Sequence, residues 1–239
     1  MSMERLDKIL TSQNIASRKD AGVMIRRGVV AVNGQPVKKA DTKIDTQSDE
    51  ITVNGQTLNI KEFVYYMMNK PAGVLSAARD LHARTVVDLL PPEMQRRGLF
   101  PAGRLDKDTE GLLIITNDGV FAHRMLAPKS HVFKLYQAVL AAPISEQDIA
   151  QFENGLELND MTCLPAQLTV LEQGENPLVL VKIREGKFHQ VKRMFLALNN
   201  EVTHLKRVQI GLLKLDETLE PGMVQELTQD ELKSVFTEE

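Results

Sequence analysis

Asp106 and Asp108 lie within the run Gly103-Arg104-Leu105-Asp106-Lys107-Asp108-Thr109-Glu110-Gly111, beside a guanidinium and between two glycines. The run leads straight into Leu112-Leu113-Ile114-Ile115-Thr116, a short apolar stretch that reads as a buried strand. A loop at the end of such a strand can present an ionised carboxylate to a substrate while the strand holds it still. By residue type alone, this arrangement suits a nucleophile, a general base or half of a metal site.

Three further runs carry reactive or charged side chains: Met68-Asn69-Lys70-Pro71-Ala72-Gly73, Lys134-Leu135-Tyr136, and Arg184-Glu185-Gly186-Lys187-Phe188-His189-Gln190-Val191-Lys192-Arg193-Met194-Phe195. His82, His123, His131, His189 and His204 are scattered, with no cysteine partners and no i, i+4 pair, so no metal site is expected. Gly103, Gly111 and Gly119 do not form a phosphate-binding fingerprint.

Composition narrows the class. A chain of 239 residues, 43% hydrophobic, can bury a core in one or two domains. No apolar run of about 18 residues suggests a membrane span, and Met1-Ser2-Met3-Glu4-Arg5 does not read as a secretory signal. The single cysteine, Cys163, has no internal partner, which suits a reducing compartment. A cytoplasmic protein is therefore expected. The net charge of −3 hides a segregation. Residues 1–40 hold eight Lys or Arg against three acids, whereas residues 213–239 hold two against eight. A basic head is compatible with an RNA-facing end.

The elements that must position these groups fall into two parts, expected at residues 1–60 and 61–239. In the first, Leu6, Ile9 and Leu10 have helical spacing, and Ser17-Arg18-Lys19-Asp20 reads as a capping box opening a helix that Gly28 closes. Ala21, Met24 and Ile25 share one face of that helix, and Arg18, Lys19, Arg26 and Arg27 spread over the other. Asn33-Gly34 and Asn54-Gly55 mark two-residue hairpin turns. In the second part, Phe63-Val64-Tyr65-Tyr66-Met67-Met68 is a strand that Pro71 and Gly73 end. Short strands and helices then alternate without a βαβ rhythm, giving an α+β class with a mostly antiparallel mixed sheet flanked by helices.

The basic helices followed by hairpins, through Arg5-Leu6-Asp7-Lys8, Ser17-Arg18 and Val30-Ala31-Val32-Asn33-Gly34, resemble an S4-like RNA-binding domain. The four runs from Met68 to Phe195, in their order and spacing, resemble the motifs of the bacterial ribosomal-RNA pseudouridine synthases. Together the two resemblances cover essentially the whole chain. They imply a cofactor-free and metal-free isomerisation in which a uridine is detached at N1–C1′, turned, and rejoined through C5. They place the catalytic aspartate at Asp106, an active-site tyrosine at Tyr136 and the cation that keeps Asp106 ionised at Lys192. Lys stands there where many relatives carry Arg, supplying the charge without the bidentate fork. Arg104 is expected to face the RNA, and Lys70, Lys187, Arg193, Lys206 and Arg207 to line a phosphate-contacting groove. Arg5, Lys8, Arg18, Lys19, Arg26 and Arg27 are the contacts expected of the head. Asp108, two residues from Asp106, is read as a loop-capping or turn residue pointing the other way, and Asp118 as part of the Asn117-Asp118-Gly119 turn. His189 is read as structural or RNA-facing.

The run Phe188-His189-Gln190-Val191-Lys192-Arg193-Met194-Phe195 resembles the small-subunit branch of that family, which implies 16S RNA, or a small-subunit assembly intermediate, as partner to a monomeric enzyme. The same reaction on 23S RNA is the nearest rival. A non-catalytic S4-type RNA-binding protein is a second, and a metal-dependent enzyme built on Asp106, Asp108 and Asp118 a weaker third.

Overall fold

The computed structural model describes residues 3–237. The chain forms two compact units, Met1–Val64 with Pro91–Leu99, and Tyr65–Leu90 with Phe100–Glu239. The segment Pro91–Leu99, which sequence alone leaves with the larger part, groups with the first unit.

In the first unit, β1 (Met3–Arg5) pairs with β4 (Lys43–Asp45), and α1 (Leu6–Ser12) and α2 (Arg18–Arg27) precede the sheet β3-β2-β5-β6 (Gln35–Pro36, Val30–Val32, Ile51–Val53, Gln56–Thr57). Ser17 caps α2 by accepting from the Asp20 amide at 3.2 Å, and Gly28 ends it at φ +77°. Both Asn-Gly turns have positive φ at both residues, as a type I′ hairpin requires. Leu6, Ile9, Leu10, Ala21 and Ile25 meet Val30, Ile44 and Ile51 in the core.

The second unit is built on a nine-stranded sheet. Its order is β13 (Gln167–Glu172), β14 (Leu178–Ile183), β10 (Lys134–Leu140), β15 (Val202–Ile210), β9 (Glu110–Thr116), β7 (Tyr65–Lys70) and β17 (Val224–Glu226). Strand β16 (Leu213–Lys214) pairs with β15, and β8 (Phe100–Ala102) with β9. Every pairing is antiparallel except β15 with β9, so the sheet is mixed as expected.

Strand β9 is buried on both faces, which explains its unbroken apolar run. Leu112 and Ile114 pack with Ala122 and Met125 of α3 (Gly119–Leu126) and Leu232 of α6 (Gln229–Ser234). Asp118 caps α3 by accepting from the amides of Val120 and Phe121. Elsewhere Phe152 of α4 (Glu146–Asn154) meets Phe195 of α5 (Gln190–Ala197), ring centroids 5.0 Å apart. A two-stranded hairpin, β11 (Glu157–Leu158) with β12 (Met161–Thr162), follows α4. No helix among the described residues is long and apolar enough to cross a membrane.

Candidate active site

The loop carrying Asp106 is clamped on both sides of that residue. Ser76 Oγ donates to the Leu105 carbonyl at 2.8 Å and accepts from the Leu105 amide at 3.1 Å. Lys70 Nζ donates to the carbonyls of Pro71, Lys107 and Thr109 at 3.0, 3.2 and 2.8 Å. The Gly73 amide reaches the Lys107 carbonyl at 2.7 Å, and the Thr109 amide reaches back to the Asp106 carbonyl at 3.1 Å. Lys70 has 0% exposure, so its expected place among RNA-contacting lysines is corrected: its ammonium is spent inside the protein, shaping the loop. Burial pushes its pKa down to about 8, against the opposing pull of Asp108, Glu110 and Asp106.

Helix α5 brings two cationic or polar groups to the aspartate. His189 Nε2 lies 3.4 Å from Asp106 Oδ1 and Lys192 Nζ lies 3.9 Å from Asp106 Oδ2. Lys192 also hydrogen-bonds Asp108 Oδ1 at 2.6 Å and holds that carboxyl below the usual range. The reading of Asp108 as pointing away is therefore corrected. The loop turns at Lys107–Asp108, so both carboxylates meet one ammonium.

His189 is left-handed, φ +49°, at the start of α5. Its ring stacks on Phe188, centroids 3.7 Å apart, and Phe188 is 75% exposed. The turn before the helix is fixed by buried Gln190, which accepts from the Lys187 amide at 3.0 Å and donates to Glu185 at 2.8 Å. Arg193, expected on the RNA, pairs with Asp160.

The sheet supplies the floor. Along β10 the burial alternates, so Lys134 and Tyr136 share the inward side. Tyr136 stands opposite Arg207 of β15, and Arg207 stands opposite Gly111 of β9. Arg207 is 4% exposed, which corrects its expected place among phosphate-contacting surface groups. Lys134 donates to the Val132 carbonyl at 2.7 Å, and burial, with repulsion from Arg207, lowers its pKa to about 8.

These groups line one cleft of about 550 Å³, with Asp106, Tyr136, His189, Arg207, Thr109 and the exposed Arg104 among its walls. Lys192 and Lys206 are not among the lining residues, whereas Lys187 is. In the first unit Lys19, Arg26 and Arg27 are exposed. Arg5 is bound to Asp7 at 2.8 Å, Arg18 lies 3.9 Å from the same carboxylate, and Lys8 pairs with Glu4 at 2.5 Å. Among the described residues no three His, Cys, Asp or Glu side chains gather as a metal site would need.

Of the residues expected at the site, Asp106 and Tyr136 line one cleft and Lys192 lies 3.9 Å from Asp106, while His189, read as structural or RNA-facing, lies nearer at 3.4 Å. Sequence reasoning missed Ser76 and the buried roles of Lys70 and Arg207. The alternation Leu205, Arg207, Gln209 along an otherwise strand-like run was the available signal for Arg207.

Comparison with known proteins identifies the families of the two parts. Residues 64–197 match the RNA pseudouridylate synthase family and residues 4–51 match the S4 domain. An uncharacterized RNA pseudouridine synthase of Bacillus subtilis (strain 168) is 46% identical over 230 residues, 95% of this chain and 96% of the relative. Ribosomal small subunit pseudouridine synthase A of Vibrio cholerae is 42% identical, covering 97% of this chain and 99% of the relative. Ribosomal large subunit pseudouridine synthase B of Bacillus subtilis is 38% identical, covering 97% and 95%. A crystal structure of a pseudouridylate synthase superposes with a TM-score of 0.68 at 37% identity, covering 97% of this chain and 99% of that one. Fold, cleft and relatives together define an RNA-modifying enzyme with an S4 domain at its N-terminus. The chain belongs to the RNA pseudouridylate synthase family.

Proposed function

We propose that this enzyme converts a uridine of 16S ribosomal RNA to pseudouridine, with Asp106 as the essential carboxylate. The reading rests on the half-buried Asp106, which lines one cleft with Tyr136 and has His189 and Lys192 within 4 Å. The reaction is an isomerisation. The N1–C1′ bond breaks, the base turns, a C5–C1′ bond forms, and the proton lost from C5 is balanced by one gained at N1. It needs a carboxylate at the electron-poor C1′, a flat surface for the base and a group able to relay the C5 proton. Asp106 serves the first need. The ring and hydroxyl of Tyr136 serve the other two. Lys192 sets its positive charge beside Asp106, sharing it with Asp108.

Reaching the uridine requires flipping it from its stack, at a cost of a few kcal/mol. Arg104 at the cleft mouth serves that step by gripping a phosphate. Residues 1–60 act as the RNA-gripping S4 domain, through Lys19, Arg26 and Arg27 above all, and residues 61–239 as the catalytic domain. The preference for 16S RNA follows the small-subunit relative from Vibrio cholerae. The rival 23S reading follows the large-subunit relative. A monomer working in the cytoplasm, on RNA or on an assembling small subunit, completes the proposal.

The test is pseudouridine mapping of 16S and 23S RNA after incubation with wild-type enzyme and with Asp106→Asn. One new site in 16S RNA, absent with the variant, is the expected result. A site in 23S RNA overturns the substrate while keeping the chemistry. Tight binding without any new site puts the non-catalytic RNA-binding reading in its place, and full activity of Asp106→Asn removes the role given to that residue.

A further inference from the structure

Three buried side-chain polar atoms have no hydrogen-bond partner among the described residues, and two of them, Arg207 Nη2 and Thr109 Oγ1, belong to residues lining the cleft. Arginine carries its charge at any ordinary pH and has only donors to offer. At 4% exposure Arg207 keeps little contact with solvent, and among the described residues no carboxylate forms an ion pair with it. Its Nε is used, donating to the Leu112 carbonyl at 2.8 Å, and that bond fixes the plane of the guanidinium. A buried, oriented donor without a protein acceptor is costly unless a ligand or an ordered water completes it.

The surroundings say what kind of ligand. Leu105, Ile183, Val191 and Leu205 line the cleft with Tyr136, a setting for a flat, mostly apolar ring. Phosphates are better served by exposed Arg104 and Lys187. Lys134, close enough to Arg207 to be repelled by it, adds a second buried cationic group, so this floor favours electron-rich atoms. Uracil offers carbonyl oxygens O2 and O4, and the base detached at N1 takes the electron pair of the broken bond, spreading negative charge onto both.

We propose that Arg207 is a catalytic and base-selecting residue: its free Nη2 donates to a carbonyl of the flipped uracil and holds the charge that builds there as the N1–C1′ bond breaks. Thr109 Oγ1 offers the acceptor that the N3–H requires. Where the contact is to O4, cytosine is refused, because it presents an amino donor there. This inference rests on the proposed reaction and assigns Arg207 a role apart from Asp106, Tyr136 and Lys192.

The experiment is a cycle between residue and atom. Synthetic RNA carrying uridine, 2-thiouridine or 4-thiouridine at the mapped position is reacted in single turnovers with wild-type enzyme, Arg207→Lys and Arg207→Met. Sulfur is the weaker acceptor. Arg207→Met is expected to slow the uridine reaction by about 10²–10³-fold with RNA affinity little changed, as for loss of one oxyanion donor. Arg207→Lys is expected to recover part of that loss. One thio substitution slows the wild type, and the same substitution has no further effect in Arg207→Met. Wild-type rates on both thio substrates, or equal slowing in wild type and variant, overturn the proposal. Arg207→Lys supplies the variant arm of the cycle if Arg207→Met does not fold, because the altered donor should change the response to that thio substitution. Pseudouridine formed from the plain uridine substrate shows that the reaction itself stands when the coupling fails. No product from that substrate removes both.

Discussion

Gly111→Ala is the most informative single perturbation of this molecule. Gly111 has φ +99°, and a Cβ built there falls 2.2 Å from the Arg207 carbonyl oxygen and 2.9 Å from the Arg207 nitrogen. The first distance is more than about 1 Å short of an ordinary contact, and the neighbour is strand backbone, which cannot rotate aside. The left-handed conformation costs an L-residue about 1–2 kcal/mol, and forced overpacking adds about 1–3 kcal/mol. A loss of about 2–5 kcal/mol in unfolding free energy is expected.

Gly98→Ala is the control. Gly98 has φ +81° with nothing within 4 Å of its Cβ position, so it isolates the conformational cost, about 1–2 kcal/mol. Urea unfolding of both variants gives the stabilities, and single-turnover pseudouridine formation gives the chemistry. Displacing Arg207 and the start of β9 by about 1 Å is expected to slow Gly111→Ala by about 10²-fold, while Gly98→Ala keeps the wild-type rate. Equal destabilisation of the two variants with normal turnover in both would refute the close-approach reasoning.

Three further outcomes are expected. Lys192→Met should lower kcat far more than RNA affinity, because Asp106 and Asp108 both lose their ammonium, whereas Asp108→Asn should retain turnover by leaving Lys192 to Asp106 alone; steady-state kinetics with filter binding separates the two. Lys70 titrates near 8 in the folded chain and 10.5 is its ordinary value, so the unfolded state binds more protons between these limits and stability rises with pH across them. Relative to Lys70→Met, the wild-type unfolding free energy should therefore climb by about 1 kcal/mol per pH unit between pH 8 and 10. A difference that stays level over that window would show that Lys70 is not buried as a charge.

Local signals with one physical meaning were legible from the sequence. The Asn-Gly turns, the Ser17 cap and the apolar run of β9 each have a single cheap solution, and the chain adopts it. Asp106 and Tyr136 stand out because their flanking residues repeat a family pattern. Charge type alone misled elsewhere, since a lysine or arginine reads as surface until its burial is known. Lys70 is the last residue of the apolar β7 and turns inward to three carbonyls, and Arg207 lies on the inward side of β15. Those placements depend on partners 37, 39 and 95 residues away in the chain, beyond the reach of local spacing. The reading of Asp108 failed for a simpler reason: residues two apart along an extended chain share a side, and the turn at Lys107–Asp108, held by Lys70 and Gly73, also leaves both carboxylates beside Lys192.

The parallel contact of β15 with β9 spans two residue pairs, Lys206 with Glu110 and Arg207 with Gly111, while β9 pairs with β7 over six. The broad sheet is thus two well-zipped ribbons joined by a short seam, and the cleft straddles it. Tyr136 and Arg207 belong to one ribbon; Asp106 and Thr109 lead into the other. Side chains as well as ladder bonds stitch the seam, Arg207 to the Leu112 carbonyl and His204 to Glu110 at 2.5 Å. A nucleotide held by groups from both ribbons becomes a further stitch. On the proposed reaction, occupancy of the cleft should tie the two ribbons together, and slower hydrogen exchange at the Gly111 and Arg207 amides on RNA binding is the expected result.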